Sequence, residues 1–205
     1  LKPAVSKADK AYLKLMTEVQ SVYLRHLEKS GWPAPGFSSN AATFDRVVTP
    51  RLQESGRRVA YIMIDALRYE LGIALQRELG EDAQISLHAA CGQLPSVTPI
   101  GMASLLPQAE MQLQIRKEGS KAVAYMGDQP LKSAAARMKL LENRFGVRFQ
   151  TTPLGSFLKP DFKLNATTEL LVIRTNRMDS QLEDETDDEL DLTVVRRTLK
   201  RIRAA

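Results

Sequence analysis

The stretch "RVAYIMIDALRYELG", residues 58–72, joins a strand pattern to a helix pattern with an aspartate between them. The apolar, β-branched run that ends at Ile64 predicts a strand buried on both faces, as in a parallel sheet. The residues that follow predict a helix with one apolar face, made of Leu67, Leu71, Ala74, Leu75 and Leu79. Asp65 lies at the junction, where burying a carboxylate costs free energy unless a positive partner compensates. The stretch therefore predicts a strand–helix unit with a charged site at the end of its strand.

The region before this stretch predicts a separate helical segment. Residues 7–29 carry apolar side chains at spacings of three and four, which indicates an amphipathic helix. The Gly-, Pro- and Ser-rich sequence "SGWPAPGFSSNAA" that follows is typical of a linker. We therefore expect residues 1–40 to be a helical segment with its linker, and residues 41–205 to form the main domain.

The rest of the chain alternates between strand and helix patterns. We expect a second strand in "AQISLHAAC" and a helix with Thr98 as its N-cap and Pro99 as its first residue. A hairpin is predicted around "EGSK", a helix before Gly146, and two further strands in "VRFQTTP" and "TELLVIRT". This alternation predicts an α/β fold with a mostly parallel sheet and helices on both faces.

Composition excludes several classes of protein. With the single cysteine Cys91, the chain has no internal disulfide, and we expect this residue to be a small core side chain rather than a metal ligand. No apolar run approaches the roughly 20 residues of a membrane helix, and residues 1–10 lack a signal-peptide pattern, so we expect a cytoplasmic protein without membrane contact. A formal charge of +5 permits a nucleic-acid partner, but ordinary surface charge explains it better.

Three polar residues are predicted at the carboxyl ends of the strands, where α/β sheets bind ligands. They are Asp65, Thr98 and Asp179, and two carboxylates with a hydroxyl at one sheet edge favour a divalent metal ion. Two simpler interpretations stay open: Asp65 caps the following helix, and Thr98 serves only as an N-cap.

The motifs "IMIDALRYE" and "LPSVTPIGMASLLP" resemble the PglZ family of the alkaline phosphatase superfamily, and "LLVIRTNRMD" agrees with it less specifically. The resemblance implies that Asp65 and Asp179 bind metal and that Thr98 is a nucleophile that also coordinates metal. It implies two divalent ions, Zn²⁺ with Mn²⁺ or Mg²⁺ as alternatives, and hydrolysis of a phosphoester, above all a phosphodiester of a nucleic acid or nucleotide. It further implies defence against phage together with other proteins of a BREX system.

The sequence departs from the family pattern in its histidines. The family completes its metal pair with histidines, including an Asp-His-Gly motif, whereas this chain has only His26 and His88, outside those positions. We therefore expect the chain to be the N-terminal part of a domain, truncated at the C-terminus and inactive on its own. The alternatives are an inactive scaffold of a defence complex and a nucleic-acid-binding module.

Other charged residues have both a functional and a structural interpretation. Arg68 is a candidate phosphate ligand, or else an exposed helix arginine. The run "EDETDDELD" resembles a cation site, but Thr186 and Glu189 also form a capping box for a helix. At the far end of that helix lies a basic cluster, which complements the helix dipole or contacts nucleic acid: Arg196, Arg197, Lys200, Arg201 and Arg203.

Overall fold

The computed structural model describes residues 2–80, 84–175 and 200–203, and the chain divides into two compact units, residues 1–38 and 39–205. The first unit consists mainly of helix α1, Lys2–Ser30, which contains the predicted helix and extends beyond both of its ends. The helix ends where Gly31, with φ of 73°, donates its N–H to the Leu27 carbonyl at 2.8 Å.

The second unit mixes short helices and strands. Its α-helices are α2 (Thr49–Gln53), α3 (Tyr69–Leu79), α4 (Thr98–Ser104), α5 (Ala109–Gln112), α6 (Ala134–Phe145) and α7 (Leu154–Phe157). Single turns of other helix types lie at Asn40–Ala42 and Gly146–Arg148 (3₁₀) and at Phe44–Val48 (π), and residues 200–203 are helical. Strand β1 (Ser38–Ser39) begins at the last residue of the first unit. The other strands are β2 (Val59–Ile64), β3 (Ala90–Cys91), β4 (Leu113–Glu118), β5 (Lys121–Met126), β6 (Gln129–Pro130), β7 (Phe149–Pro153) and β8 (Leu170–Thr175).

Strands β2, β8 and β7 form a parallel sheet in that order. Ile64 of β2 pairs with Thr175 of β8, and Pro153 of β7 pairs with Arg174, so the carboxyl ends of all three strands meet at one edge. The central strand β8 is buried almost throughout, whereas β2 is mostly half-buried because it lies at the edge of the described sheet. This arrangement confirms the predicted parallel sheet.

Helices cover both faces of this sheet. Leu170 and Val172 belong to one hydrophobic cluster, and Leu171 and Ile173 belong to a second, because alternate residues of a strand point to opposite faces. The first cluster includes residues of α4 and α6, namely Ile100, Ala103, Met138 and Leu141. The second includes Leu71 of α3 and Leu154 of α7, which confirms the predicted α/β fold.

The predicted hairpin is also present. Strands β4 and β5 are antiparallel and in register from Leu113 opposite Met126 to Glu118 opposite Lys121. Gly119 makes the turn with φ of 58°. Ala124 and Met126 of β5 join the first hydrophobic cluster, so the hairpin and the parallel sheet share one core.

The predicted second strand is wrong over most of its length. Of residues 84–91 only Ala90–Cys91 form a strand, and His88 is exposed in a segment without regular structure. Residues 84–88 alternate between exposed and half-buried, as in a strand, but residues 84–89 have no hydrogen-bonded partner strand among the described residues. Cys91 is half-buried with a free thiol. No helix of the described ranges combines the length and the apolar character that a membrane crossing requires.

Candidate functional site

A cavity of about 410 Å³ opens at the carboxyl edge of the parallel sheet. Its polar or charged side chains come from β8, α4, α6 and the turn after β2: Asp65, Thr98, Arg137, Arg174 and Thr175. The rest of its lining is apolar: Met63, Met102, Ala134, Met138 and Pro153. The structure thus brings the predicted residues Asp65 and Thr98 together in one cavity.

Asp65 is held in place by the backbone around it. Its N–H donates to the Thr175 carbonyl at 3.0 Å, which continues the pairing of β2 with β8, and its Oδ1 accepts from the Ala66 N–H at 3.0 Å. The side chain is almost fully buried. Helix α3 begins only at Tyr69, with Arg68 as its N-cap residue, so the interpretation of Asp65 as a helix cap is wrong.

Ala66 has a strained backbone conformation. Its φ is 57°, in the left-handed region that side-chain-bearing residues rarely adopt. The chain turns sharply there, and the Ala66 carbonyl accepts from the Arg68 N–H at 3.0 Å. Strained residues of this kind are concentrated at functional sites.

Thr98 is the first residue of α4 rather than its N-cap, which corrects the prediction by one position. The N-cap residue is Val97, and Pro99 is the second helical residue, where its missing N–H is still tolerated. Thr98 itself is exposed, whereas Ile100 is fully buried and anchors the helix in the first hydrophobic cluster.

Two arginines that the sequence patterns did not identify as site residues also line the cavity. Arg137 lies on α6 with only 8% of its surface exposed, and its Nη1 donates to the Leu131 carbonyl at 3.3 Å. Arg174 lies half-buried on β8, and its Nε donates to Thr151 Oγ1 at 3.1 Å. A signal for both was in the sequence: Arg137 has the helical spacing of the buried Leu141, and Arg174 interrupts a continuous buried strand.

The charges in the cavity act on one another. Burial lowers the pKa of the Arg137 guanidinium; the Asp65 carboxylate opposes this shift, and Arg174 adds to it. A guanidinium begins from so high a pKa that it keeps its charge in proteins. The cavity therefore holds two cationic side chains and one carboxylate among its described residues.

The other predicted site residues are not among the described residues that line the cavity. Arg68 is exposed, its Nε is 2.8 Å from Glu70 Oε1, and it is not among the residues that line the cavity; its substrate-binding role stays a prediction. Asp179 lies outside the described residues, as do the acidic run with Thr186 and Glu189 and the basic residues Arg196 and Arg197.

The described residues fit only part of a divalent-metal site. Asp65 and Thr98 supply oxygen donors of the kind that Mg²⁺, Mn²⁺ and Zn²⁺ accept. Within residues 2–80, 84–175 and 200–203, however, no group of three or more His, Cys, Asp or Glu side chains is placed to hold a metal.

Comparison with known proteins agrees with the motifs in the sequence. The family described as "BREX system PglZ alkaline phosphatase-like domain" matches residues 43–204. The chain belongs to this PglZ family. It is 36% identical over 86 residues to "Alkaline phosphatase-like protein BrxZ" of Escherichia coli O9:H4 (strain HS), an alignment that covers 40% of this chain. It is 27% identical over 178 residues to "Alkaline phosphatase-like protein PglZ" of Bacillus cereus (strain H3081.97), which covers 84% of this chain. The alignments cover 10% and 20% of those two relatives, so the chain matches a small part of each.

Proposed function

We propose that this PglZ domain contributes the nucleophile and one metal ligand to a metal-dependent phosphoesterase of a BREX phage-defence system. The observation that carries the proposal is the convergence of Asp65 and Thr98, which are distant in sequence, on one cavity at the carboxyl edge of a parallel sheet. Ligands of α/β sheets bind at that edge.

In this proposal Thr98 and Asp65 have different roles. The Oγ1 of Thr98 forms a bond to phosphorus while the bond from phosphorus to the leaving oxygen breaks, and the hydroxyl proton passes to the solvent or the leaving group. Water then hydrolyses the phosphothreonine and restores the hydroxyl. Asp65 would hold a divalent ion, Zn²⁺ or alternatively Mn²⁺ or Mg²⁺, which when bound polarises phosphoryl oxygens and stabilises the leaving oxygen.

A phosphodiester, as in a nucleic acid or nucleotide, is the substrate class that we propose. The family match and the names of the relatives support an alkaline phosphatase-like activity and a place among other defence proteins. The remaining metal ligands would come from Asp179 and from residues outside the described ranges.

The test is hydrolysis of bis(p-nitrophenyl) phosphate by this chain and by the whole product of its gene, with added Zn²⁺, Mn²⁺ or Mg²⁺. We expect activity in the whole product, and a loss on the order of 1000-fold in kcat for Thr98→Ala, because the nucleophile is removed. Thr98→Ser should retain part of the activity, since it keeps the hydroxyl. Thr167→Ala is the matched control, because Thr167 is exposed and donates to the Val147 carbonyl outside the cavity.

A second candidate function is that of a scaffold that binds other defence proteins without catalysis. It is favoured by the incomplete set of metal donors in the described part of the chain. If the whole gene product is inert with every metal tested, or if Thr98→Ala leaves its hydrolysis unchanged, the phosphoesterase proposal is rejected.

A further inference from the structure

Arg137 and Arg174 give the cavity an excess of positive charge. Asp65 is the one carboxylate among the described residues that line it, against two guanidiniums. Moreover, no salt bridge joins either arginine to a carboxylate within the described ranges. Some surface arginines of the same fold, in contrast, form a salt bridge to a carboxylate: Arg148 Nη1, for example, lies 3.0 Å from Glu169 Oε2.

Both guanidiniums keep hydrogen-bond donors available. Arg174 uses its Nε for Thr151, and Arg137 uses its Nη1 for the Leu131 carbonyl. In the described part of the chain, the two Nη groups of Arg174 and the Nε and Nη2 of Arg137 have no acceptor within hydrogen-bond distance. Among the described residues, Asn40 Oδ1 is the one buried side-chain polar atom without a partner, so the free nitrogens of both arginines remain accessible from the cavity. An anionic ligand in the cavity could accept hydrogen bonds from these charged donors.

We propose that Arg137 and Arg174 form a binding site for the non-bridging oxygens of a phosphate group beside Thr98, and that this pair binds phosphate without a metal ion. The identity of the anion rests on the proposed function, since a phosphoester is the substrate that Thr98 would attack.

The chemistry of the cavity suits this ligand. The planar guanidinium donates two parallel hydrogen bonds to a pair of phosphate oxygens, which a lysine ammonium does not do. Met63, Met102 and Met138 line the same cavity with apolar surface. Such a surface lowers the local dielectric and strengthens the attraction between guanidinium and phosphate.

Thr151 is a positioning residue for Arg174. Its Oγ1 accepts from Arg174 Nε at 3.1 Å and lies 3.3 Å from Met138 Sδ, to which its hydroxyl donates. Thr151 thus holds the guanidinium through Nε and leaves the two Nη nitrogens for a ligand. The Leu131 carbonyl holds Arg137 in a similar way.

The test measures binding of inorganic phosphate by titration calorimetry to the whole gene product in excess EDTA, against chloride at equal ionic strength. We expect saturable binding that weakens about 10- to 100-fold in Arg174→Gln and in Arg137→Met, because a charge-assisted pair of hydrogen bonds is lost. Arg174→Lys should fall in between, since it keeps the charge but not the planar fork. Arg77→Gln on α3 is the matched control, because it removes the same charge from an exposed residue outside the cavity.

Two results of this test would overturn the proposal. One is that the unsubstituted protein binds no phosphate in EDTA. The other is that the Arg174→Gln variant is folded by circular dichroism and yet binds phosphate as tightly as the Arg77→Gln control. If Arg137→Met fails to fold, the two Arg174 variants decide, because that side chain is only half-buried. Thr151→Val adds a second readout: phosphate binding should weaken although no charge is removed.

Failure of the arginine site and failure of the phosphoesterase proposal give different experimental results. Hydrolysis that depends on Thr98 but whose KM is unchanged in both arginine variants would reject the arginine site and keep the phosphoesterase. Arginine-dependent phosphate binding in a protein that is inert with all metals would reject the phosphoesterase and keep the site.

Discussion

Two of the turns in the second unit that contain a residue with positive φ are filled differently by the chain. At the hairpin turn between β4 and β5 the residue is Gly119, with φ of 58°. After β2 it is Ala66, with φ of 57°. Glycine adopts this conformation without steric cost, whereas alanine brings its Cβ too close to a backbone oxygen.

The difference matches what each turn does. The hairpin turn only reverses the chain, and a Cβ at Gly119 would meet nothing within 4 Å, so backbone conformation alone favours glycine there. The turn at Ala66 also fixes the side chain of a candidate site residue, because the Ala66 N–H donates to Asp65 Oδ1. Backbone strain at such a position persists only when the surrounding structure holds it in place.

The largest effect is expected when the core that supports both turns is weakened. Ile100 is fully buried in the cluster that contains Met63 of β2 and Ala124 of β5. We expect Ile100→Ala to lower the free energy of unfolding by about 2–5 kcal/mol, through lost burial and the cavity it leaves. Urea unfolding measures the change. Val97→Ala, also on the segment that carries Thr98 but 47% exposed, should change stability much less; equal losses would contradict the assigned core.

The next largest effect tests the strain after β2 directly. Ala66→Val places a β-branched side chain at a φ of 57°, and we expect it to destabilise the fold by about 1–3 kcal/mol. Ala60→Val is the matched control, because Ala60 is exposed in the extended backbone of β2, where valine is favoured. Thermal unfolding compares the two. A neutral Ala66→Val would show that the turn relaxes and does not hold Asp65 rigidly.

A reciprocal pair of substitutions exchanges the two turn residues. Gly119→Ala should lower the free energy of unfolding by about 1–2 kcal/mol, since it introduces into the hairpin the same backbone strain that Ala66 has after β2. Ala66→Gly should change stability by less than about 1 kcal/mol, because relief of strain is opposed by the greater entropy of the unfolded chain. Chemical denaturation of both variants checks this order. If Gly119→Ala proves the milder change, the conformational explanation of the two turns fails.

Periodicity predicted the parts of the fold that bury continuous apolar surface. The strands around Val59–Ile64 and Leu170–Thr175 and the helix at Ala134–Phe145 follow their sequence patterns closely, because burial dominates their energy. The prediction of the second strand was wrong because a strand also needs a neighbouring strand to pair with. Such pairing depends on residues distant in sequence, which a local pattern does not reveal.

The candidate site was predictable only in part. Asp65 and Thr98 stood out because each follows a strand pattern or opens a helix pattern, whereas Arg137 and Arg174 sit inside apolar patterns. A lone arginine in such a pattern resembles a surface residue whose stem covers apolar groups. Only the fold shows that α6 and β8 place both guanidiniums in the cavity that contains Asp65.

The smallest effect is expected at the surface charges of the hairpin. Hydrogen bonds from Lys132, and then from Tyr125, lower the pKa of the Glu118 carboxyl, against a weaker opposing effect of desolvation. Lys132 Nζ lies 2.5 Å from Glu118 Oε2, and both side chains are partly exposed. The pKa of Glu118 is lower in the folded protein than its ordinary value of 4.5. The stabilisation by Glu118 is therefore complete above pH 4.5 and is lost as the pH falls through the folded-state pKa.

Glu118→Gln should therefore lower the Tm slightly at pH 7, and this difference should vanish in more acidic buffer. Asp128→Asn, at the fully exposed partner of Arg116, should alter the Tm less at every pH. A Tm difference for Glu118→Gln that grows on acidification would mean that this carboxyl is more easily protonated in the folded hairpin than in the unfolded chain.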